Sequence, residues 1–87
     1  MLKGKTKSGF NDQMTEARLE NYELIEALTE VEVNPLALPK TVDLLLGKEQ
    51  SDKLKDHLRD EEGLVSTEKL SNEIMEIFNN EKETKNS

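Results

Sequence analysis

The sequence predicts an all-α fold, a small bundle of about four helices. The predicted helices span roughly 16–32, 39–47, 49–61 and 66–80. Two observations carry this prediction: apolar residues recur at helical spacing, and Asn, Pro and Gly stand where helices begin and end. Strand-like alternation is weak, and neither a sustained heptad pattern nor an internal repeat is present. A chain of 87 residues has room for one small core.

The first predicted helix, 16–32, has an apolar stripe and two possible starts. The stripe follows i, i+1, i+4 and i+7 spacing and consists of Leu24, Ile25, Leu28 and Val31. Asn21 is a candidate N-cap. An earlier start near Thr15, which brings Leu19 onto the same face, is an open alternative.

The stretch NPLALPKTVDLLLG contains one acid and one base in a chain of which 36% is charged. Asn34 is a candidate N-cap with Pro35 at the first helical position. Pro39 disfavours helical geometry at Leu38, so the second helix is expected to restart at Pro39. Gly47 is expected to end it in a left-handed conformation.

The apolar side chains of this stretch could be buried in the core, or they could form a surface that binds a partner. Burying a large apolar side chain contributes roughly 1.5 to 3 kcal/mol, so most of its leucines are expected in the core. Three consecutive leucines nevertheless sweep a sector of about 200° on a helix, wider than one packing face. Two interpretations therefore stay open: all the leucines lie in the core, or most lie in the core and one edge faces a partner. The candidate partner-binding residues are Leu36, Leu38, Leu44, Leu45 and Leu46.

The third and fourth helices differ in the strength of their patterns. Helix 49–61 has only Leu54 and Leu58 as strong apolar anchors, which indicates a solvated helix. Helix 66–80, with Ser66 or Thr67 as its cap, has the clearest amphipathic pattern in the chain. Its apolar positions are Leu70, Ile74, Ile77 and Phe78.

Both ends of the chain are expected to be mobile around a single helical domain, 13–81. Residues 1–12 are rich in Lys, Gly, Ser and Thr and predict a flexible basic arm. Residues 9–14 are expected to be extended only if the domain offers an edge. Residues 82–87 have no apolar side chain and predict a frayed tail.

Composition argues against several functions. A net charge of −7 disfavours binding to nucleic acids and anionic membranes, which attract clustered Lys and Arg. No apolar run has the roughly 18 residues that span a bilayer, and no signal-peptide pattern is present. Cysteine is absent, which fits a reducing compartment. We therefore expect a soluble, unsecreted protein of the cytoplasm.

The acidic segment DHLRDEEG is the one place where a metal or acid/base site needs consideration. Its side chains Asp56, His57, Asp60, Glu61 and Glu62 match no calcium-loop order. His57 and Glu61 share a helical face, but two ligands do not make a zinc site. The phosphate-binding glycine motifs are also absent. We expect a solvated charged surface, no catalytic residues, no metal and no cofactor.

Several segments together resemble a known family. They are SGF, ELIEAL, NPLALPKTVDLLLGKEQ, KLKDHLR, EEGLVS and EIMEIF, and they cover most of the chain from Ser8 onward. They resemble small proteins encoded among the morphogenesis genes of tailed phages and prophages of Gram-positive bacteria, associated with tail assembly chaperones. The resemblance implies a non-enzymatic helical protein that self-associates. It also implies partners, namely the tape measure protein or other tail proteins, whose apolar helices it holds during assembly.

Two alternatives stay open beside the chaperone. The first is another phage structural, connector or regulatory protein, including an acidic inhibitor of a host enzyme that mimics DNA. Such mimicry predicts carboxylates at phosphate-like spacing on one face. The second is a small enzyme or metal protein, for which the sequence shows no constellation of residues.

Overall fold

The computed structural model describes residues 1–86, which form an N-terminal β-hairpin followed by four helices, three of them long. The hairpin strands are β1 (Leu2–Lys5) and β2 (Asn11–Met14). The helices are α1 (Glu16–Leu19), α2 (Tyr22–Val33), α3 (Leu38–Leu58) and α4 (Thr67–Asn86), with a 3-10 turn at Pro35–Ala37. The mostly helical fold is confirmed, whereas the flexible arm predicted for residues 1–12 is wrong.

The hairpin is ordered because it has tertiary support. β1 and β2 pair antiparallel, with Leu2 opposite Met14 and Gly4 opposite Asp12. An isolated two-stranded hairpin is marginal in water. Here β1 packs on α4 and β2 packs on α3, while Phe10 and Met14 are buried. The hairpin has few apolar side chains of its own, so it is stabilised by packing against the helices.

The predicted helix 16–32 is two helices, and both proposed starts are used. The Thr15 hydroxyl accepts a hydrogen bond from the Arg18 amide at 3.1 Å and caps α1. The Asn21 side chain accepts one from the Glu23 amide at 3.1 Å and caps α2. Because each cap residue has extended backbone geometry, the chain turns between the two helices.

The entry into α3 partly matches its prediction. The Asn34 side chain accepts from the Leu36 amide at 3.2 Å, as expected of an N-cap. The expected break before Pro39 is absent, because Leu38 is helical at φ −58° and ψ −46°. Pro39 lies in the first turn of α3, where a missing N–H costs no helical hydrogen bond.

Gly47 interrupts α3 as the sequence predicts. Its φ of 81° and ψ of 164° lie in a region that only glycine occupies readily, and a kink divides the helix there. Arg18 of α1 stabilises the kink, since its guanidinium donates to the carbonyls of Leu44 at 2.8 Å and Asp43 at 3.2 Å. These bonds satisfy carbonyl groups near the end of the first half of the helix.

A Gly47→Ala variant is expected to lose about 1 to 3 kcal/mol of unfolding free energy, because a Cβ is strained at this φ and ψ. Urea denaturation followed by circular dichroism measures the loss. Glu49→Ala is the matched control, since that side chain is exposed in the same helix and should change stability by no more than about 0.5 kcal/mol. Equal stabilities of the two variants would contradict the assigned kink.

Helix α4 begins as predicted but extends further. The Ser66 hydroxyl accepts from the Lys69 amide at 3.2 Å. The tail predicted for residues 82–87 is helical as far as Asn86, and Ser87 lies outside the described residues. The extension has tertiary anchors, because Glu81 is fully buried and Lys85 pairs with Glu20.

One core joins the hairpin to all the long helices. Its buried apolar side chains are Phe10, Met14, Leu19, Leu24, Leu28, Val31, Ala37, Leu38, Val42, Leu45, Leu46, Leu54, Leu70, Ile74 and Ile77. The amphipathic pattern predicted for the fourth helix accordingly faces inward. Across residues 1–86, none of the helices combines the length and the apolar character that crossing a membrane requires.

Candidate protein-binding groove

An apolar groove lies between the 3-10 turn and α3 on one side and the beginning of α4 on the other. Its volume is about 380 Å³. It is lined by Pro35, Leu36, Leu38, Pro39, Val42, Asp43, Ser51, Lys55, Val65, Thr67 and Leu70. The lining includes one carboxylate and one ammonium group, and Lys55 already pairs with Asp52 at 3.2 Å. The groove therefore favours an apolar ligand surface over a charged one.

The five candidate partner-binding leucines are divided between the core and the surface. Leu38, Leu45 and Leu46 are buried, and Leu44 is half-buried against the core. Leu36, in the 3-10 turn, is 86% exposed and lies at the edge of the groove. Leu36 is thus the member of this set that a partner can reach without any rearrangement.

Sequence reasoning placed Ile25 on the buried stripe of its helix, but its side chain is 42% exposed. The other three members of the predicted stripe, Leu24, Leu28 and Val31, are buried. Tyr22 and Val33 are also exposed. The outer face of α2 therefore carries apolar side chains that the stripe alone did not reveal.

Glu73 of α4 anchors the hairpin turn through two hydroxyl groups. Its Oε1 accepts hydrogen bonds from Thr6 Oγ1 and, at 2.5 Å, from Ser8 Oγ. The His57 Nε2 lies 3.2 Å from Ser8 Oγ and 3.0 Å from the Ser8 carbonyl oxygen. The His57 ring also stacks at a tilt on Phe10, with centroids 5.7 Å apart.

The same three residue types form hydrolase triads, but here their order differs. In a triad the imidazole lies between the hydroxyl and the carboxylate, so that it takes the hydroxyl proton. Here Ser8 Oγ lies between His57 and Glu73 and donates a hydrogen bond to the carboxylate. The arrangement fits an anchor for the turn between β1 and β2.

Two further carboxylates are buried beneath the hairpin. Asp12 is 3% exposed and Glu81 is fully buried, and within residues 1–86 neither carboxyl group has a hydrogen-bond partner in another residue. Both point at Gly4, whose missing Cβ would lie 2.5 Å from Glu81 Oε1 and 3.4 Å from Asp12 Oδ2. A glycine at this point of β1 therefore makes the room that the two carboxyl groups occupy.

Burial favours the protonated forms of this pair. It raises the pKa of Asp12 from 3.8 to about 6, and the negative charges of Glu73 and Glu76 add to the rise. Burial likewise raises the pKa of Glu81 from 4.5 to about 7, with a further contribution from Asp12. The two carboxyl groups are thus partly protonated near neutral pH, and their titrations are coupled.

The acidic segment considered for a metal site is exposed and engaged locally. The Asp60 carboxylate accepts from the amides of Glu62 and Leu64, each at 2.9 Å, and Asp56 pairs with Arg59 at 3.0 Å. His57 contacts Ser8 instead. Among residues 1–86 no three His, Asp or Glu side chains converge in a way that could hold a metal ion.

Comparison of the chain with protein-family models, curated proteins and solved structures found no match. The resemblance to tail assembly chaperones therefore stays a prediction.

Proposed function

We propose that this protein is a non-enzymatic assembly chaperone that holds apolar helical segments of a client. In line with the resemblance described above, the proposed client is the tape measure protein or another tail protein of a phage or prophage. The observation that carries the proposal is the apolar groove with Leu36 exposed at its edge. Amphipathic helices bind in grooves of this kind by inserting apolar side chains.

The charge of the chain supports the same proposal. A chaperone that exposes an apolar groove must stay in solution before its client arrives, and a net charge of −7 favours solubility. Asp43 and Lys55 at the groove leave no strong field of one sign. Selection of the client in this groove would therefore depend on shape and apolar area.

A Leu36→Ser variant is expected to bind a tail client about tenfold more weakly, or weaker still, because a buried leucine contributes roughly 1.5 to 3 kcal/mol. Stability should change little, since the side chain is 86% exposed in the free protein. The measurement is affinity capture from phage-infected cells, followed by titration of the recovered tail protein.

Leu64→Ser is the matched control, because Leu64 is 60% exposed and does not line the groove. Capture should persist with this variant. Recovery of no tail protein by the wild type, or equal capture by the Leu36 variant, would contradict the proposal.

A further inference from the structure

The outer face of α2 presents an apolar stripe to solvent. Tyr22 is 72% exposed, Ile25 is 42% exposed and Val33 is 84% exposed. With Thr29, these residues follow i, i+3, i+7 and i+11 spacing and share one side of the helix. The Thr29 hydroxyl donates to the Ile25 carbonyl at 2.9 Å, so it needs no external partner. We call these four residues the α2 face.

The charged side chains that helix α2 itself places beside the α2 face are all negative. Helix α2 contains Glu23, Glu26, Glu30 and Glu32 and no Lys, Arg or His. All four glutamates are exposed, and none of them forms an ion pair within residues 1–86. The stripe from Tyr22 to Val33 is about 16 Å long, which is about three turns of a helix.

We propose that the α2 face docks a basic amphipathic helix of another protein. Such a helix would set its apolar side chains along the stripe and its Lys and Arg side chains against the flanking glutamates. Charge complementarity of this kind raises the association rate and selects the partner. The α2 face shares no residue with the lining of the groove, so this inference does not depend on the client proposed above.

The same charges argue against a second copy of this face as the occupant. A symmetric pair would bring the four glutamates of one copy towards the four of the other, and like charges at an interface oppose association. A basic helix instead relieves the repulsion among the glutamates. The acidic border thus distinguishes a basic partner from self-association.

The test uses two synthetic peptides of about three to four helical turns with leucines at matching spacing, one flanked by lysines and the other by glutamates. Fluorescence anisotropy of each peptide with the full chain gives the affinities at low and raised salt. We expect the lysine peptide to bind at least about tenfold more tightly than the glutamate peptide, and we expect raised salt to weaken the binding of the lysine peptide. Equal affinities of the two peptides would overturn the proposal.

Variants locate the bound peptide. The double variant Tyr22→Ser with Val33→Ser is expected to bind the lysine peptide about tenfold more weakly, or weaker still. Glu26→Gln with Glu30→Gln should weaken it several-fold and reduce its salt dependence. Because these side chains are exposed, circular dichroism should show an unchanged fold.

Leu36→Ser is the matched control, and it should leave binding of the lysine peptide unchanged because Leu36 lines the groove. Loss of binding in this variant together with retention in the Tyr22 and Val33 variant would place the peptide in the groove and overturn the inference. Sedimentation could also show that the wild type is a dimer and that the Tyr22 and Val33 substitutions make it a monomer. This result would assign the α2 face to a second copy and would overturn the inference.

Discussion

The unfolding free energy of this protein is expected to fall as pH rises from about 4 to about 7, because of Asp12 and Glu81. The folded-state pKa of each lies above the ordinary value of its carboxyl group, at about 6 for Asp12 and about 7 for Glu81. In this pH window the native state therefore binds more protons than the unfolded state. By linkage, stability then decreases with rising pH and levels off above the folded-state pKa values.

Each carboxyl group is expected to contribute about 3 kcal/mol to this loss, because its pKa is higher by about 2 in the folded protein and a pKa difference of one corresponds to about 1.4 kcal/mol. The contributions of the two groups do not simply add, because their titrations are coupled. Urea denaturation across the pH range, followed by circular dichroism, measures the effect.

Asp12→Asn is expected to flatten this pH dependence and to exceed the wild type in stability by about 2 kcal/mol at a pH of about 8, since it removes one buried charge. Glu83→Gln, on an exposed position of the same helix as Glu81, is the control and should keep the wild-type profile. A wild type that gains stability with rising pH, or an Asp12→Asn profile equal to the control, would contradict the buried pair.

Glu73→Ala is expected to lower the unfolding free energy by about 2 to 4 kcal/mol. The substitution removes a carboxylate that accepts from both Thr6 and Ser8, and hydrogen bonds to charged groups contribute about 1.5 to 3 kcal/mol each. Thr6 is 4% exposed, so its hydroxyl would be left buried without this partner. The hairpin should also open more often than the helices.

Amide hydrogen exchange resolves this effect by position. We expect faster exchange in the strands Leu2–Lys5 and Asn11–Met14 of the Glu73 variant than in α3. Asn72→Ala, at an exposed neighbouring position, is the control and should keep wild-type exchange. Rapid exchange of the strands in the wild type itself would instead restore the mobile arm that the sequence predicts.

The helix ends were the most predictable part of the fold, because their signals are local. Asn21, Asn34 and Ser66 act as caps through bonds to amides two or three residues away, and Gly47 adopts the positive φ expected of it. Because both partners of such a bond are close together in the sequence, the sequence alone is enough to predict the cap. The same locality explains why Thr15 and Asn21, read as alternatives, both form caps.

The hairpin was not predicted because its partners lie far along the chain. Gln50 of α3 accepts from the Gln13 amide at 2.9 Å and donates to its carbonyl at 2.6 Å, which satisfies the edge of β2. Glu73 is 67 residues from Thr6. One usable signal was the alternation of Lys3 and Lys5 with the less exposed Leu2 and Gly4.

The sequence of α4 contained a second usable signal, which concerned its buried acidic residues. Glu73 and Glu81 lie four residues on either side of Ile77, on the face that faces the core. An acid at such a position indicates either an ion pair or a buried carboxyl group. The candidate groove was anticipated only through Leu36 and Leu38, because the exposure of one leucine and the burial of its neighbours depend on how α3 packs.

Photo-cross-linking at the groove tests most directly the claim that it binds an apolar client helix. A photoreactive amino acid replaces Leu36 in one variant and Leu64 in another, and each is irradiated in cells that produce phage tails. Both side chains are exposed, but only Leu36 lines the groove. We expect position 36 to form a cross-link to an apolar helical segment of a tail protein and position 64 to form none. Equal labelling at both positions, or none at position 36, would contradict it.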